Sequence, residues 1–272
     1  MNRALPAAVA AIVALALALL VAIAPAHLSP IAQELEAASP AVLPPFGADG
    51  RGRPLLEYAA QGARVVALPA LVAGLVVAAA SVCGGVVRAM GLNRLDPILS
   101  AASEVVGALP RMVVVLVVAL VLPREWRGLM PLALTWAVLS APGAMDEAAA
   151  VAERLGGARF VEALRAHGYS SVRIFLVHIV GYNLRPVLVR QGAEVMSQVV
   201  FLEIALSYLA ASRQDPSFTH PDSVMSWADI LYLGYTALAF REPYDHAAIL
   251  GLALLVVVSA FAAALGRAAR AR

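Results

Sequence analysis

Residues Glu147 to Gly181 read EAAAVAERLGGARFVEALRAHGYSSVRIFLVHIVG. Glu153, Arg154, Glu162 and Arg165 recur among apolar residues at helical spacing. Phe160 and Leu164 stand four apart and share a helix face, with Val161 and Arg165 on the neighbouring stripe. Gly168 is placed to end that helix, because glycine accepts the left-handed conformation of a C-terminal cap. Ser170 or Ser171 can cap a second helix from Val172 onward. The pattern predicts two short helices meeting at a glycine, one of them with a small apolar patch ringed by charge. Such a patch suits docking of a soluble partner or an amphipathic linker lying in a membrane interface, and spacing alone favours neither.

On both sides of this segment the chain is apolar over lengths that match a bilayer, whose hydrocarbon core takes roughly 20 residues of helix. Ala4 to Ala26, Val65 to Val87, Gly128 to Met145 and Ala247 to Gly266 carry no charge. Met112 to Leu122 is uncharged, and Ile98 to Ala108 extends it backwards with Glu104 and Arg111 as its charged members. A fainter span covers Leu184 to Leu209, interrupted by Arg185, Arg190, Glu194 and Glu203. The expected fold is therefore all-α and integral to a membrane, with about six transmembrane helices. Arg3, an apolar run and Ala24-Pro25-Ala26 have the outline of a secretory signal. That run exceeds the roughly 7–15 residues of a signal core, so an uncleaved first span is expected.

Bulk composition agrees. The chain has 272 residues, 61% hydrophobic and 14% charged, with mean hydropathy +0.81, whereas soluble domains run near half apolar and about a quarter charged. A soluble fold could not hide so much apolar surface, but lipid accommodates it. Net charge is +2 and every basic residue is arginine. No basic stripe with interleaved aromatics is present, so nucleic acid is not an expected partner. Cys83, the single cysteine, excludes an intramolecular disulfide and a multi-cysteine zinc site; within its apolar run it is expected as a small core residue.

Arginine placement sets orientation. With the N-terminus cytoplasmic, Arg3, Arg88, Arg94, Arg154, Arg159, Arg165, Arg173, Arg267, Arg270 and Arg272 lie inside, and Arg51, Arg53, Arg64, Arg124, Arg127, Arg213 and Arg241 outside. Residues 27–63 then form an outer segment rich in Pro and Gly, 147–182 an inner loop, and 210–246 an outer segment containing Trp227 and Tyr232. The bundle proper runs from 64 to 268, after a first helix over 1–26. No internal repeat is visible.

Glu162-Ala163-Leu164, three further residues and Gly168 resemble the EAA loop of ABC importer permeases. The fuller string FVEALRAHGYSSVRIFLVHIV is similar to FVEAARALGASDWRIILRHILP of the dipeptide, oligopeptide and nickel branch. Gly47-Ala48-Asp49-Gly50-Arg51-Gly52-Arg53, with Gly62-Ala63-Arg64-Val65, resembles that branch's GTDxxGRD…GARxSL. Leu95-Asp96-Pro97 through Ala108-Leu109-Pro110 is similar to RVDxxLxRxxDxxxALP. Leu202-Glu203-Ile204-Ala205-Leu206-Ser207-Tyr208-Leu209, with Ser226-Trp227, resembles LxExxLSFLGLG…PSWG. The resemblance covers roughly 46 to 268 and points to the C-type member of a permease pair. The sequence departs from the pattern at Val180-Gly181 (Leu-Pro in the branch), Leu164, Pro54, Ala210-Ala211-Ser212 and Ala228. These departures bear on substrate more than on fold, and some bear on coupling.

The resemblance implies a type I importer permease with a cytoplasmic coupling loop, in a bacterial inner membrane, both termini cytoplasmic. It implies a second permease subunit, cytoplasmic ABC ATPases, an extracytoplasmic substrate-binding protein and membrane lipid as partners. Peptides are the default cargo of the branch, with nickel or other small solutes open. The chain has no GxxxxGK[ST] loop, so it is not itself expected to be an enzyme, and ATP with its magnesium belongs to the partner ATPase. Phe160, Glu162, Ala163, Leu164, Arg165, His167 and Gly168 are the expected coupling residues, with Glu162 leading; its carboxylate is implied to meet the ATPase surface through charge-assisted hydrogen bonds. Glu104, Glu194 and Glu203 fall within spans, where charge faces a cavity, a partner or a bundle interior. Arg111, after Pro110, is expected near a kink. Asp49, Arg51 and Arg53 are expected to brace the permease pair, to touch the binding protein, or to form a plain glycine-rich turn. Trp227 is expected to anchor an interface or the outer loop.

Competing readings are weaker. An intramembrane enzyme needs paired reactive groups, and neither HExxH nor GxSxG is present. A stand-alone secondary transporter predicts inverted repeats with ion ligands at mid-membrane. A transport-deficient permease-like subunit would fit the missing Leu-Pro.

Overall fold

The computed structural model describes residues 4–89, 96–123, 126–156, 159–213 and 224–270. These form an α-helical bundle. Helix α1 covers Ala4–Ile23; α2, Leu55–Gly62, passes through a π-helical turn, Ala63–Ala67, into α3, Leu68–Ala89. Then follow α4 (Asp96–Gly107), α5 (Arg111–Val121), α6 (Leu129–Gly156) and α7 (Arg159–Ala166). The short α8 (Ser171–Arg173) runs through a π-helical stretch, Ile174–Leu184, into α9 (Arg185–Arg213); α10 (Trp227–Phe240) and α11 (His246–Arg270) complete the chain.

Among the described residues, three continuous helices are long and apolar enough to cross a membrane: Leu55–Gly84, Ser171–Leu209 and His246–Arg267. A fourth candidate is the pair Pro97–Gly107 and Arg111–Val121, bent by 80° at the break. The third expected span is thus two helices. Proline at 110 supplies no backbone N–H and pushes the residue before it out of the helical region, and Pro110 sits extended, ψ 101°, as the N-cap of α5.

Two further elements differ from the sequence expectation. The helix after Ser170 is not short: it runs unbroken for 39 residues to Leu209. Gly181, which retains its N–H where proline would not, lies within the π-helical stretch, and Pro186 is the second residue of α9; neither ends the helix. Cys83 is exposed, not in the core. In a membrane helix the outward face is as apolar as the inward one, so hydropathy cannot choose between them.

Helix α3 is the hub, packing most extensively on α6 and then on α9, while α11 packs on α9, α10 and α1. The buried faces are lined by small residues: Ala59, Ala63, Ala70 and Ala73 on α2–α3, and Ala133, Ala137, Ala148 and Ala152 on α6. Larger residues such as Leu15, Val117, Leu120, Val138, Phe201, Ile249 and Val256 point outward. This is the inversion that lipid allows, because helices there associate through close packing and polar bonds without a hydrophobic drive between them. Where α3 crosses α9, a Cβ on Gly74 would lie 2.7 Å from the Gly192 carbonyl oxygen and 2.8 Å from Met196 Cγ, so no side chain fits at position 74.

Candidate functional site

The sequence-predicted residues fall into three places. The first is the turn carrying α7. This helix begins after the long α6 and lies between it and the start of the 39-residue helix. It is attached through Val161, 2% exposed, in a cluster with Ala148, Ala152, Ile174, Phe175, Ile179 and Leu184. Leu164 is half-buried beside that cluster. Glu162, Ala163, Arg165 and His167 are exposed; the Phe160 side chain lies outside the described residues. Gly168 has φ +81°. Its N–H donates to Arg165 O, and Tyr169 N–H donates to Leu164 O at 3.1 Å. This pair of bonds is the Schellman closure of a helix on a left-handed residue. Ser170 then caps the next helix, its Oγ accepting from Arg173 N–H. Below the turn, Arg173 stacks over Tyr169 at 5.0 Å, and His178 lies between Tyr169 and Tyr182.

The second place joins both segments expected outside. Asp49 is 4% exposed. Its Oδ1 accepts from Arg51 N–H (2.9 Å) and Arg53 N–H (2.8 Å), and its Oδ2 from the Tyr58 hydroxyl (2.7 Å). A bridge pairs Ala48 with Pro54 beneath this turn. The Arg51 side chain is exposed and that of Arg53 half-buried. Trp227 is fully buried at the first position of α10, and its indole N–H donates to Ala59 O at 2.9 Å. The ring fills the space beside Gly62, where a Cβ would come within 2.1 Å of Trp227 Cδ1. A capping box of Ser226 and Asp229 starts α10, and His246 contacts Phe46 O at 2.9 Å. Asp49 and Trp227 therefore belong to one closely tied unit at the α2–α10–α11 end of the bundle.

The third place lies on candidate membrane spans. Glu203 is fully buried and accepts from Ser207 Oγ at 3.0 Å. Glu104 is exposed on α4 and apart from the other two. Glu194 belongs to a network that sequence reasoning does not assemble. Arg190 pairs with Glu147 on α6 and lies 3.8 Å from Glu194. Buried Gln191 accepts from Ser81 of α3, and donates to Ala144 O (3.1 Å) and Glu147 (2.9 Å) on α6. Gln198 accepts from Trp136 Nε1 at 2.8 Å and donates to Glu194 at 3.3 Å. The readable signal was a polar stripe on α9, Arg190, Glu194 and Gln198, at intervals of four.

Among the described residues, no group of His, Cys, Asp and Glu side chains comes together to hold a metal ion. Compared with known proteins, the chain matches no family model and no curated protein.

Proposed function

We propose that this chain is one permease subunit of an ATP-driven ABC importer, with six spans: α1, α2–α3, the bent α4–α5, α6, α8–α9 and α11. An even number of spans keeps both termini on the cytoplasmic side. The observation that carries the reading is α7, a two-turn helix fastened by Val161, closed by Gly168, and presenting Glu162, Arg165 and His167 to solvent between two long helices. A soluble ATPase docked there would push on α6 and α9 together. A second permease would cover apolar side chains that now face outward, and a binding protein would deliver the solute, by default a peptide, at the Asp49–Trp227 end. ATP and magnesium stay on the ATPase.

The test is co-purification from native membranes with mass spectrometry. The wild-type chain is expected to bring down a P-loop ATPase and a second permease. A variant with Glu162→Ala and Gly168→Pro is expected to lose the ATPase and keep the permease. Intact chain that never carries an ATPase overturns the importer reading.

A further inference from the structure

A half-open pocket of about 160 Å³ lies where α3, the start of α5, α6 and α9 meet, with the Glu147 and Glu194 side chains exposed at it. Arg111, Ser140, Glu147, Gln191, Glu194 and Gln198 line it. Ser140 sets it apart from an ordinary polar packing defect. Its side chain is 7% exposed, and its hydroxyl has no hydrogen-bond partner. Ser81, Thr135, Ser197 and Ser259 each turn the hydroxyl back onto the carbonyl four residues earlier. Ser140, also mid-helix, does not. A buried hydroxyl is almost always bonded to something, and this one lines the pocket, where water or an entering solute would be its partner.

The charges define that group. One guanidinium, Arg190, serves the carboxylates of both Glu147 and Glu194, leaving that trio one negative charge in excess. Arg111 brings a positive charge to the same cavity from the start of α5. The site is thus balanced overall and dipolar within. Adding a net charge to a pocket set between candidate membrane spans is costly, whereas a solute carrying one charge of each sign adds none. The room is that of about five water molecules, which fits an amino-acid-sized solute and not an extended peptide.

We propose that this cavity is a recognition site for a small zwitterion, its carboxylate meeting Arg111 and the Ser140 hydroxyl, its ammonium meeting Glu194. The cargo then narrows from the branch's default peptide to a single amino-acid-sized zwitterion, and the membrane chain adds its own selection to that of the binding protein. That the site lies on a transport path rests on the importer reading; that it recognises a dipole rests on its own residues.

The chain, with whatever partners accompany it from its native membranes, is placed in lipid nanodiscs and titrated with L-alanine, acetate and methylammonium. L-Alanine is expected to bind at millimolar or lower concentration, and each singly charged probe about tenfold more weakly or worse. Ser140→Ala is expected to weaken L-alanine binding about tenfold. It should leave the thermal midpoint unchanged or raise it, since the hydroxyl holds no neighbour. Arg111→Gln is expected to abolish discrimination between L-alanine and methylammonium, and Arg111→Lys to retain part of it. Absence of L-alanine binding overturns the site, as do acetate binding equally well or both variants binding like wild type. L-Alanine binding by a chain that carries no ATPase keeps the site and removes the importer; an ATPase-bearing chain blind to L-alanine does the reverse.

Discussion

At one end of the bundle Asp49 accepts three hydrogen bonds and Trp227 is wholly buried. At the other, Val161 is the one fully buried side chain among those described on α7, and the helix leaves its charges in solvent. The first end joins residues that are 168 apart, Ala59 and Trp227; the second closes on bonds between neighbours three to five apart. An end tied by long-range contacts opens only with the whole bundle. An end tied locally can open by itself, which is the property expected of an element that moves with a partner.

The contrast can be broken most severely at Trp227. Trp227→Ala removes a buried ring and the bond to Ala59 O, and should cost about 4 kcal/mol, read as a large fall in thermal midpoint or failure to accumulate in the membrane. If the loss is small, the outer unit is not the fastening that its burial indicates. Asp49→Ala leaves the Tyr58 hydroxyl and two backbone N–H groups without their acceptor, and should cost about 2–3 kcal/mol. Limited proteolysis of intact vesicles should then show cleavage in 27–54 well before the helices are attacked. Gly168→Ala is the smallest change. Forcing a side chain into φ +81° costs about 1 kcal/mol, so hydrogen exchange of α7 amides should quicken about fivefold while α3 and α6 stay unchanged. Spread of that change into α3 would mean that the two ends are not mechanically separate.

Most helices were legible from the sequence because their apolar runs match the membrane length. The bend at Pro110 was legible as a kink near Arg111, though not its angle. The Gly168 closure and the Ser170 cap were also readable, since both are decided within a few residues. Helix α10 was missed although its residues are mostly apolar and Ser226 and Asp229 spell a capping pair; its 14 residues fall short of the roughly 20 of a membrane span, and Arg213 to Ser226 before it is polar. The polar network between α3, α6 and α9 was harder. Its stripe on α9 is visible, but the partners Glu147, Trp136 and Ser81 stand 43, 62 and 110 positions from their mates. One sequence gives no rule for bringing them together. Likewise, the outward apolar face that misplaced Cys83 is indistinguishable by composition from an inward one.

The crossing of α3 and α9 at Gly74 and Gly192 has a mechanical consequence. Backbone approaches backbone there, with one long side chain, Met196, set against Gly74, so the contact can serve as a fulcrum and the 39-residue helix through it as a lever. From Gly192 to Ser171, at about 1.5 Å per residue, the arm is about 32 Å. A tilt of about 5° about the fulcrum would carry the Ser171 end, and α7 with it, about 3 Å. A stroke of that size at the loop would need almost no rearrangement beside the polar network, which sits next to the fulcrum.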